Sequence, residues 1–151
     1  MQIPYEKRDA GLGVGLGLFA KAAVSAGTCV WRFKVGENVI EYDEEATILH
    51  LKNKTLSEAQ RWLDLTYGLR GKICEILDDG RYMNHSTSPN CKTDSKGDTY
   101  AIKDIAEGEQ LFEVYGSFDH PPFLLVCLEK YNCAPKYYDY QAHPDPTRDD
   151  T

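Results

Sequence analysis

Three short segments, far apart in the chain, constrain this sequence more than any other feature. The central one, residues 81–91, reads Arg-Tyr-Met-Asn-His-Ser-Thr-Ser-Pro-Asn-Cys. A glycine-containing segment at residues 15–20 precedes it, and a segment at residues 100–116 follows it and ends in Val-Tyr-Gly. Asn-His-Ser is a good former of turns, and glycine lets a backbone approach a ligand closely. The order and spacing of the three segments are together far more specific than any one of them.

Length and charge limit the class of protein. A chain of 151 residues is long enough for one modest hydrophobic core but not for two. Its hydrophobic content of 42% predicts a folded domain rather than disorder. The formal net charge of -7 disfavours direct nucleic-acid binding, which relies on clustered Lys and Arg. It suits a basic partner, although many soluble proteins are acidic without one.

The sequence pattern contains no targeting signal. The first eight residues lack an apolar signal core, and no stretch reaches the roughly 18 apolar residues of a membrane span. We therefore expect a nuclear or cytoplasmic protein with no membrane partner.

Apolar spacing predicts a small α+β domain that is mainly β with short helices. Residues 55–58 (Thr-Leu-Ser-Glu) match a capping box and predict one central helix, with Leu56, Ala59, Trp62 and Leu63 on its apolar face. A second helix is predicted after two prolines. This second helix is predicted at 123–131. Strands are predicted at 28–33, 39–42, 72–77, 99–102 and 110–114. A polar loop is predicted at 91–98.

The glycines between residues 11 and 17 do not form a dinucleotide-binding fingerprint. Counting Gly-x-Gly-x-x-Gly from Gly11 places Leu16 at the last position, and counting from Gly13 places Leu18 there. The sequence also shows no clear strand before this segment and no helix after it. Glycines at 15 and 17 instead favour close approach of the main chain to a ligand.

The three segments resemble the signature of SET-domain lysine methyltransferases, with Asn-His-Ser…Pro-Asn at its centre, over residues 11–120. The resemblance implies a β-clip fold with a C-terminal pseudoknot, in which the segment ending at Tyr115 passes beneath a loop near Asn84. It places a helical insert at about 43–70, after an N-terminal lead-in at 1–10. Residues 121–142 are expected to form an aromatic flank, and the polar tail 143–151 is predicted to be disordered.

The resemblance also implies an activity and its residues. SET enzymes transfer methyl from S-adenosyl-L-methionine to the side-chain amine of lysine in a protein such as a histone. Tyr115 matches their catalytic tyrosine. The expected cofactor-binding residues comprise two that use main-chain atoms and four that form one wall of the pocket. These are Leu16 and Gly17, and Arg81, Tyr82, Asn84 and His85.

Phe33, Glu113 and Phe118 are predicted to contact the substrate. Glu113 stands two residues before Tyr115, where the family often has an aromatic residue that tunes the number of methyl groups. It could meet a cationic substrate group, but an exposed strand glutamate is the simpler expectation. The substrate is expected to be a basic, extended, lysine-containing segment, added as a strand along an acidic groove. Acidic residues cluster after the first predicted strand at Glu37, Glu41, Asp43, Glu44 and Glu45.

The cysteines argue against the zinc cluster that many SET enzymes carry. Thr87 stands where the first cysteine of that cluster would follow Asn-His-Ser, and the C-terminal region offers only Cys127 and Cys133. Four thiolate ligands cannot be assembled on this pattern. We therefore expect a zinc-free protein with no metal site.

Two other functions stay open. Glu113 and the missing cysteine repeat motivate a catalytically silent SET-like module that binds peptides, whereas Tyr115 with an intact Asn84-His85 weighs against it. The other alternative is a small-molecule amine methyltransferase on the same scaffold. Turnover on a lysine peptide, and competition by free amines, separate these functions.

Overall fold

The computed structural model describes residues 1–11, 13–114 and 121–133. These ranges contain ten strands, three α-helices and a 3₁₀ helix at Asp79–Tyr82. The strands are β1 Tyr5–Asp9, β2 Leu16–Ala20, β3 Cys29–Trp31, β4 Val39–Tyr42, β5 Thr66–Leu69, β6 Lys72–Ile76, β7 Asn84–His85, β8 Cys91–Thr93, β9 Thr99–Ala101 and β10 Phe112–Glu113. The helices are α1 Glu44–Leu51, α2 Leu56–Asp64 and α3 Pro122–Lys130. The prediction of a mainly β domain with short helices is confirmed.

The strands form small sheets that bring distant parts of the chain together. Two three-stranded antiparallel sheets have the orders β3-β9-β8 and β4-β6-β5, and β1 pairs antiparallel with β2. Strands β7 and β10 pair in parallel, with Asn84 opposite Phe112 and His85 opposite Glu113. A parallel pair needs a crossover connection. It places the chain just before Tyr115 alongside Asn84, in keeping with the expected β-clip.

One hydrophobic cluster lies beneath all three signature segments. It includes Leu18 from β2, Met83 before β7, Cys91 from β8, and Ile105 and Leu111 before β10, each buried. Full burial of a leucine or isoleucine side chain stabilises a fold by about 1.5–3 kcal/mol. This cluster therefore holds the three segments against one another.

A second cluster joins the helical insert to α3. Ala59 and Leu63 of α2 pack with Leu51 of α1 and with Leu124 and Leu128 of α3. None of the helices in the described part of the chain is long and apolar enough to cross a membrane.

The structure corrects the predicted elements at several places. Residues 1–10, expected to be a lead-in, include β1, so a strand does precede the glycine segment. Residues 91–98, expected to be a polar loop, begin with β8. The insert contains two helices rather than one, since α1 precedes α2. Leu56, predicted on the apolar face of α2, is 52% exposed because it begins the helix.

Asp78 fixes the turn that leads into β7. Its carboxylate accepts hydrogen bonds from Trp31 Nε1 at 2.9 and 3.1 Å, from Asn38 Nδ2 at 3.1 Å and from the Gly80 amide at 2.9 Å. A Cβ on residue 80 would lie 2.5 Å from Trp31 Nε1, and Trp31 is buried. Glycine is therefore required at position 80 by close packing. Asp78 is also the N-cap of the 3₁₀ helix.

Candidate functional site

Asn84 joins all three signature segments. Its side-chain amide donates hydrogen bonds to the Leu16 carbonyl at 3.1 Å and to Gln110 Oε1 at 3.0 Å. A Cβ on Gly17 would lie 2.6 Å from Gln110 Oε1 and 3.1 Å from Asn84 Nδ2. The absence of a side chain at residue 17 therefore allows Asn84 and Gln110 to approach β2. Leu16, Gly17 and Asn84, predicted separately as cofactor-binding residues, lie together.

Asn90 hydrogen-bonds to β10 and to the chain just before it, next to the parallel pair of β7 and β10. Its Nδ2 donates to the Gln110 carbonyl at 2.8 Å, and its Oδ1 accepts from the Phe112 amide at 2.8 Å. The Asn90 amide donates to the Phe112 carbonyl at 3.3 Å, and the side chain is buried. Neither Asn90 nor Gln110 was predicted to act at the site. The Pro-Asn pair in the central segment was the available signal for Asn90, and the third segment, which contains Gln110, was the signal for that residue.

Arg81 and Tyr82 end the 3₁₀ helix and are separated from β7 by Met83. The Arg81 guanidinium donates to the Tyr82 hydroxyl at 2.7 Å and lies 4.8 Å from the centre of the Tyr82 ring. Tyr82 is half-buried against the cluster of Leu18 and Met83. His85 is half-buried in β7, opposite Glu113.

The surface between β2 and β7 suits a ligand such as S-adenosylmethionine. Leu16 is 42% exposed, and an added Cβ on Gly15 would meet no described atom within 4 Å, at a φ of +92° that favours glycine. Accessible main chain therefore lies beside an apolar side chain and the Asn84 amide. Binding sites for small ligands combine apolar surface with a few oriented polar groups. The residues present fit the expected cofactor.

Phe33 packs against the sheet rather than standing free. Its ring lies 6.2 Å from Trp31 in an edge-to-face arrangement, and the Arg70 guanidinium lies 5.5 Å from its centre. A Cβ on Gly97 would lie 2.5 Å from Phe33 Cγ, so the ring covers that glycine. The Phe33 side chain is half-buried. Its contact with a substrate stays a prediction.

Glu113 is buried, so the expectation of an exposed strand glutamate is wrong. It is 8% exposed, and its Oε1 accepts hydrogen bonds from the hydroxyls of Thr93 and Thr99. The reason is the pairing of β10 with β7, which turns Glu113 toward β8 and β9. Burial raises the pKa of this carboxyl, while the two threonine hydroxyls act to lower it. Contact of Glu113 with a substrate cation stays a prediction.

Tyr115 and Phe118 lie outside the described residues, as do residues 134–151 of the predicted flank and tail. The described range 13–114 ends one residue before Tyr115, at Val114, which is buried. Within the described ranges, no three His, Cys, Asp or Glu side chains come together to hold a metal ion. The zinc-free state stays a prediction that elemental analysis of the purified protein tests.

The predicted acidic groove is partly occupied by local interactions. Glu41 pairs with Arg70 at 3.6 Å and Lys72 at 3.3 Å, and Glu37 pairs with Lys34 at 3.3 Å. Asp43 caps α1 by accepting from the Ala46 amide at 2.8 Å. Glu44 and Glu45 lie exposed in the first turn of α1, where acidic side chains interact favourably with the positive end of the helix dipole.

Solved structures with the same fold include a Plasmodium falciparum protein and chains of a Polycomb complex. A Plasmodium falciparum protein assigned as a histone methyltransferase aligns with a TM-score of 0.51 and 19% identity, over 78% of this chain and 96% of its own. A chain of Chaetomium thermophilum Polycomb Repressive Complex 2 bound to GSK126 aligns with a TM-score of 0.61 and 21% identity, over 86% of this chain and 18% of its own. The same complex in an autoinhibited conformation, bound to S-adenosylmethionine, gives 0.58 and 22%, over 83% and 16%.

These alignments support the fold, and this chain spans less than a fifth of the Polycomb chains. No curated protein matches the sequence. The model of the SET domain family, however, matches residues 15–116, about two thirds of the chain and all three signature segments. The resemblance seen in the sequence is confirmed: the chain belongs to the SET domain family.

Proposed function

We propose that this protein transfers methyl from S-adenosylmethionine to the side-chain amine of lysine in a protein. The observation that carries this proposal is the meeting of Leu16, Gly17 and Asn84 beside β7, where main chain, apolar surface and an oriented amide lie together. Membership of the SET family supports the reaction class. The S-adenosylmethionine bound to the Polycomb complex supports the cofactor.

When bound, S-adenosylmethionine would supply a methyl group that is made electrophilic by its positively charged sulfur. Main-chain atoms of Leu16 and Gly17 and the wall from Arg81 to His85 bind and orient the cofactor in this proposal. Asn84 holds the two sides together through its amide. The buried cluster beneath them excludes water from that side.

The acceptor amine must be neutral and aligned. A free lysine has a pKa of about 10.4, so near neutrality only about one amine in a thousand is reactive. Burial beside a positive charge lowers that pKa, and confinement in a channel contributes through proximity. Tyr115, assigned from the family resemblance, orients the amine and the methyl group through its hydroxyl. It follows β10 by two positions along the chain.

The charge of the protein supports a basic substrate. A net charge of -7 favours a basic protein, such as a histone. The proposed place of the reaction is the nucleus or cytoplasm. Direct nucleic-acid binding is not part of the proposal. Incubating a protein extract with the enzyme and labelled cofactor, followed by mass spectrometry, identifies the modified lysine.

Replacing Tyr115 with Phe tests the assignment. The variant is expected to fold and to bind the cofactor, but to lose most methyl transfer, because the hydroxyl acts in alignment rather than packing. Tyr100→Phe, in β9, is the matched control and keeps its activity. Cofactor affinity by calorimetry and kcat on a lysine peptide are the measurements. Unchanged activity of Tyr115→Phe contradicts the role of Tyr115.

The same assays separate the alternative functions. A silent peptide-binding module gives no turnover on any lysine peptide, even with the cofactor bound. A small-molecule enzyme methylates free amines in preference to peptides. Either result contradicts the proposed function.

A further inference from the structure

Strand β1 lies outside the part of the chain that the SET model matches, yet it borders the candidate site. The match begins at residue 15, whereas β1 spans Tyr5–Asp9. In the antiparallel register, Asp9 lies opposite Leu16 and Arg8 opposite Gly17. The first strand therefore supports the backbone of the glycine segment along its whole length.

Alternate side chains of β1 also reach the other side of the site. Side chains two positions apart in a strand point to the same face, and Tyr5 and Lys7 both contact Asp79. The Tyr5 hydroxyl donates to Asp79 Oδ2 at 2.7 Å, and Lys7 Nζ donates to Oδ1 at 3.0 Å. Each carboxylate oxygen thus has its own donor. The sequence separations are 74 and 72 residues, so these are tertiary links.

Asp79 begins the 3₁₀ helix that runs directly into the predicted cofactor wall. Arg81 and Tyr82 end that helix, and Asn84 begins β7 two residues later. Lys7 Nζ also lies 5.0 Å from the centre of the Tyr82 ring. Hydrogen bonds from Tyr5 and then Lys7 lower the pKa of the Asp79 carboxyl, so it is ionised and paired near neutrality.

The candidate site has two walls: β2 with Leu16 and Gly17 on one side, and the segment from Arg81 to His85 on the other. Two sets of contacts link these walls. Asn84 joins them on one side through the Leu16 carbonyl. On the other side, β1 is paired with β2 and clamped to Asp79. A shift of the 3₁₀ helix relative to β2 would separate the Arg81–Asn84 wall from Leu16 and Gly17.

We propose that Tyr5, Lys7 and Asp79 are positioning residues that set the affinity for S-adenosylmethionine by fixing the distance between the two walls. This inference rests on the proposed function. The three side chains need not touch the cofactor, and they take no part in methyl transfer. Cofactor affinity and the KM for cofactor depend on them, whereas kcat at saturating cofactor does not.

The test compares the wild-type chain with Tyr5→Phe, Lys7→Met and Asp79→Asn. The dissociation constant for S-adenosylmethionine is measured by calorimetry, and the melting temperature is measured in parallel. Each variant is expected to weaken binding about three- to tenfold, since the clamp is partly exposed to solvent. Asp79 makes both contacts, so Asp79→Asn shows the largest loss, with kcat at saturation unchanged.

Glu6→Gln is the matched control. It changes one charge on the same strand, but Glu6 alternates with Tyr5 and Lys7 and is exposed. Its cofactor affinity is expected to equal that of the wild type. Lys7→Arg keeps a cation and is expected to recover most of the affinity that Lys7→Met loses.

A double-variant cycle separates positioning from general destabilisation. Tyr5→Phe and Asp79→Asn share one hydrogen bond, so their combined loss of affinity is expected to be smaller than the sum of the single losses. Additive losses, or unchanged affinity in Asp79→Asn while the wild type binds, overturn the inference alone. Wild-type protein that binds no cofactor overturns the proposed function as well. If Asp79→Asn does not fold, the affinity of Tyr5→Phe decides the question.

Discussion

At the scale of single residues, Glu113 shows how tertiary context changes the meaning of a charged side chain. In the sequence it occupies a strand position next to a predicted catalytic tyrosine. In the structure its carboxyl is buried and accepts hydrogen bonds from Thr93 and Thr99. Burial disfavours the charged form, so the pKa of Glu113 is raised. The two threonine hydroxyls act in the opposite direction, because hydrogen bonds donated to a carboxylate favour its charged form.

The raised pKa predicts a pH dependence of stability. A group with a higher pKa in the folded state contributes stability below its unfolded pKa and loses it as pH rises through the folded pKa. Glu113→Gln keeps a neutral acceptor for both threonine hydroxyls and removes this loss. The melting temperature of the variant should therefore gain on that of the wild type as pH rises from acid to neutral.

Thermal unfolding of both proteins across that pH series measures the effect. Glu58→Gln, which keeps an oxygen acceptor in the capping box of α2, is the control for the substitution itself. A melting-temperature difference between Glu113→Gln and the wild type that stays constant with pH contradicts a raised pKa at Glu113.

At the scale of secondary structure, the start of α2 was predictable because its signals are local. Thr55 and Glu58 form both arms of a capping box: the Glu58 amide donates to Thr55 Oγ1 at 3.2 Å, and the Thr55 amide donates to Glu58 Oε2 at 3.0 Å. The cap begins a helix that packs Ala59 and Leu63 into the core.

Thr55→Ala removes one arm of that box. It is expected to destabilise the protein by about 1 kcal/mol, because an N-terminal amide of α2 loses its acceptor. Thr55→Ser keeps the hydroxyl and is expected to lose much less. Denaturant unfolding monitored by circular dichroism measures both values, and equal stabilities for Ala and Ser would contradict a role for the cap.

Elements whose signals are tertiary were missed. In α1, Ile48 is 57% and Leu49 is 70% exposed, so its apolar residues do not follow one buried stripe. Strand β1 is exposed at four of its five positions and is held by pairing with β2. Strand β8 begins a segment rich in turn residues and is defined by pairing with β9. Periodicity cannot reveal such elements, since their partners lie far away in the sequence.

The candidate site likewise contains residues with local sequence signals and residues whose role depends on tertiary contacts. Leu16, Gly17 and Asn84 were identified because they stand in recognisable motifs, and the structure places them together. Gln110, in the third segment, and Asp79, just before the central one, support that arrangement although no role at the site was predicted for either. Their contribution depends on contacts across 26 and 74 residues of sequence, which no local pattern encodes.

At the scale of the whole molecule, the net negative charge, rather than one cluster of acidic residues, is expected to attract a basic substrate. Glu41 and Glu37 are paired with basic side chains, and Asp43 caps α1. These local pairs reduce the field that the predicted groove presents. The net charge of -7 remains and gives the surface an overall attraction for a basic peptide.

Attraction of this kind is screened by salt, with a Debye length of about 8 Å at physiological ionic strength. With saturating cofactor, kcat/KM for a lysine-rich peptide is therefore expected to fall several-fold from low to high salt, while kcat changes little. A peptide of equal length with glutamates around the target lysine serves as the control and should show the opposite trend. Glu41→Gln, which removes an already paired carboxylate, should leave the salt profile nearly unchanged. A flat profile for the basic peptide, or a preference for the acidic one, contradicts electrostatic recognition of the substrate.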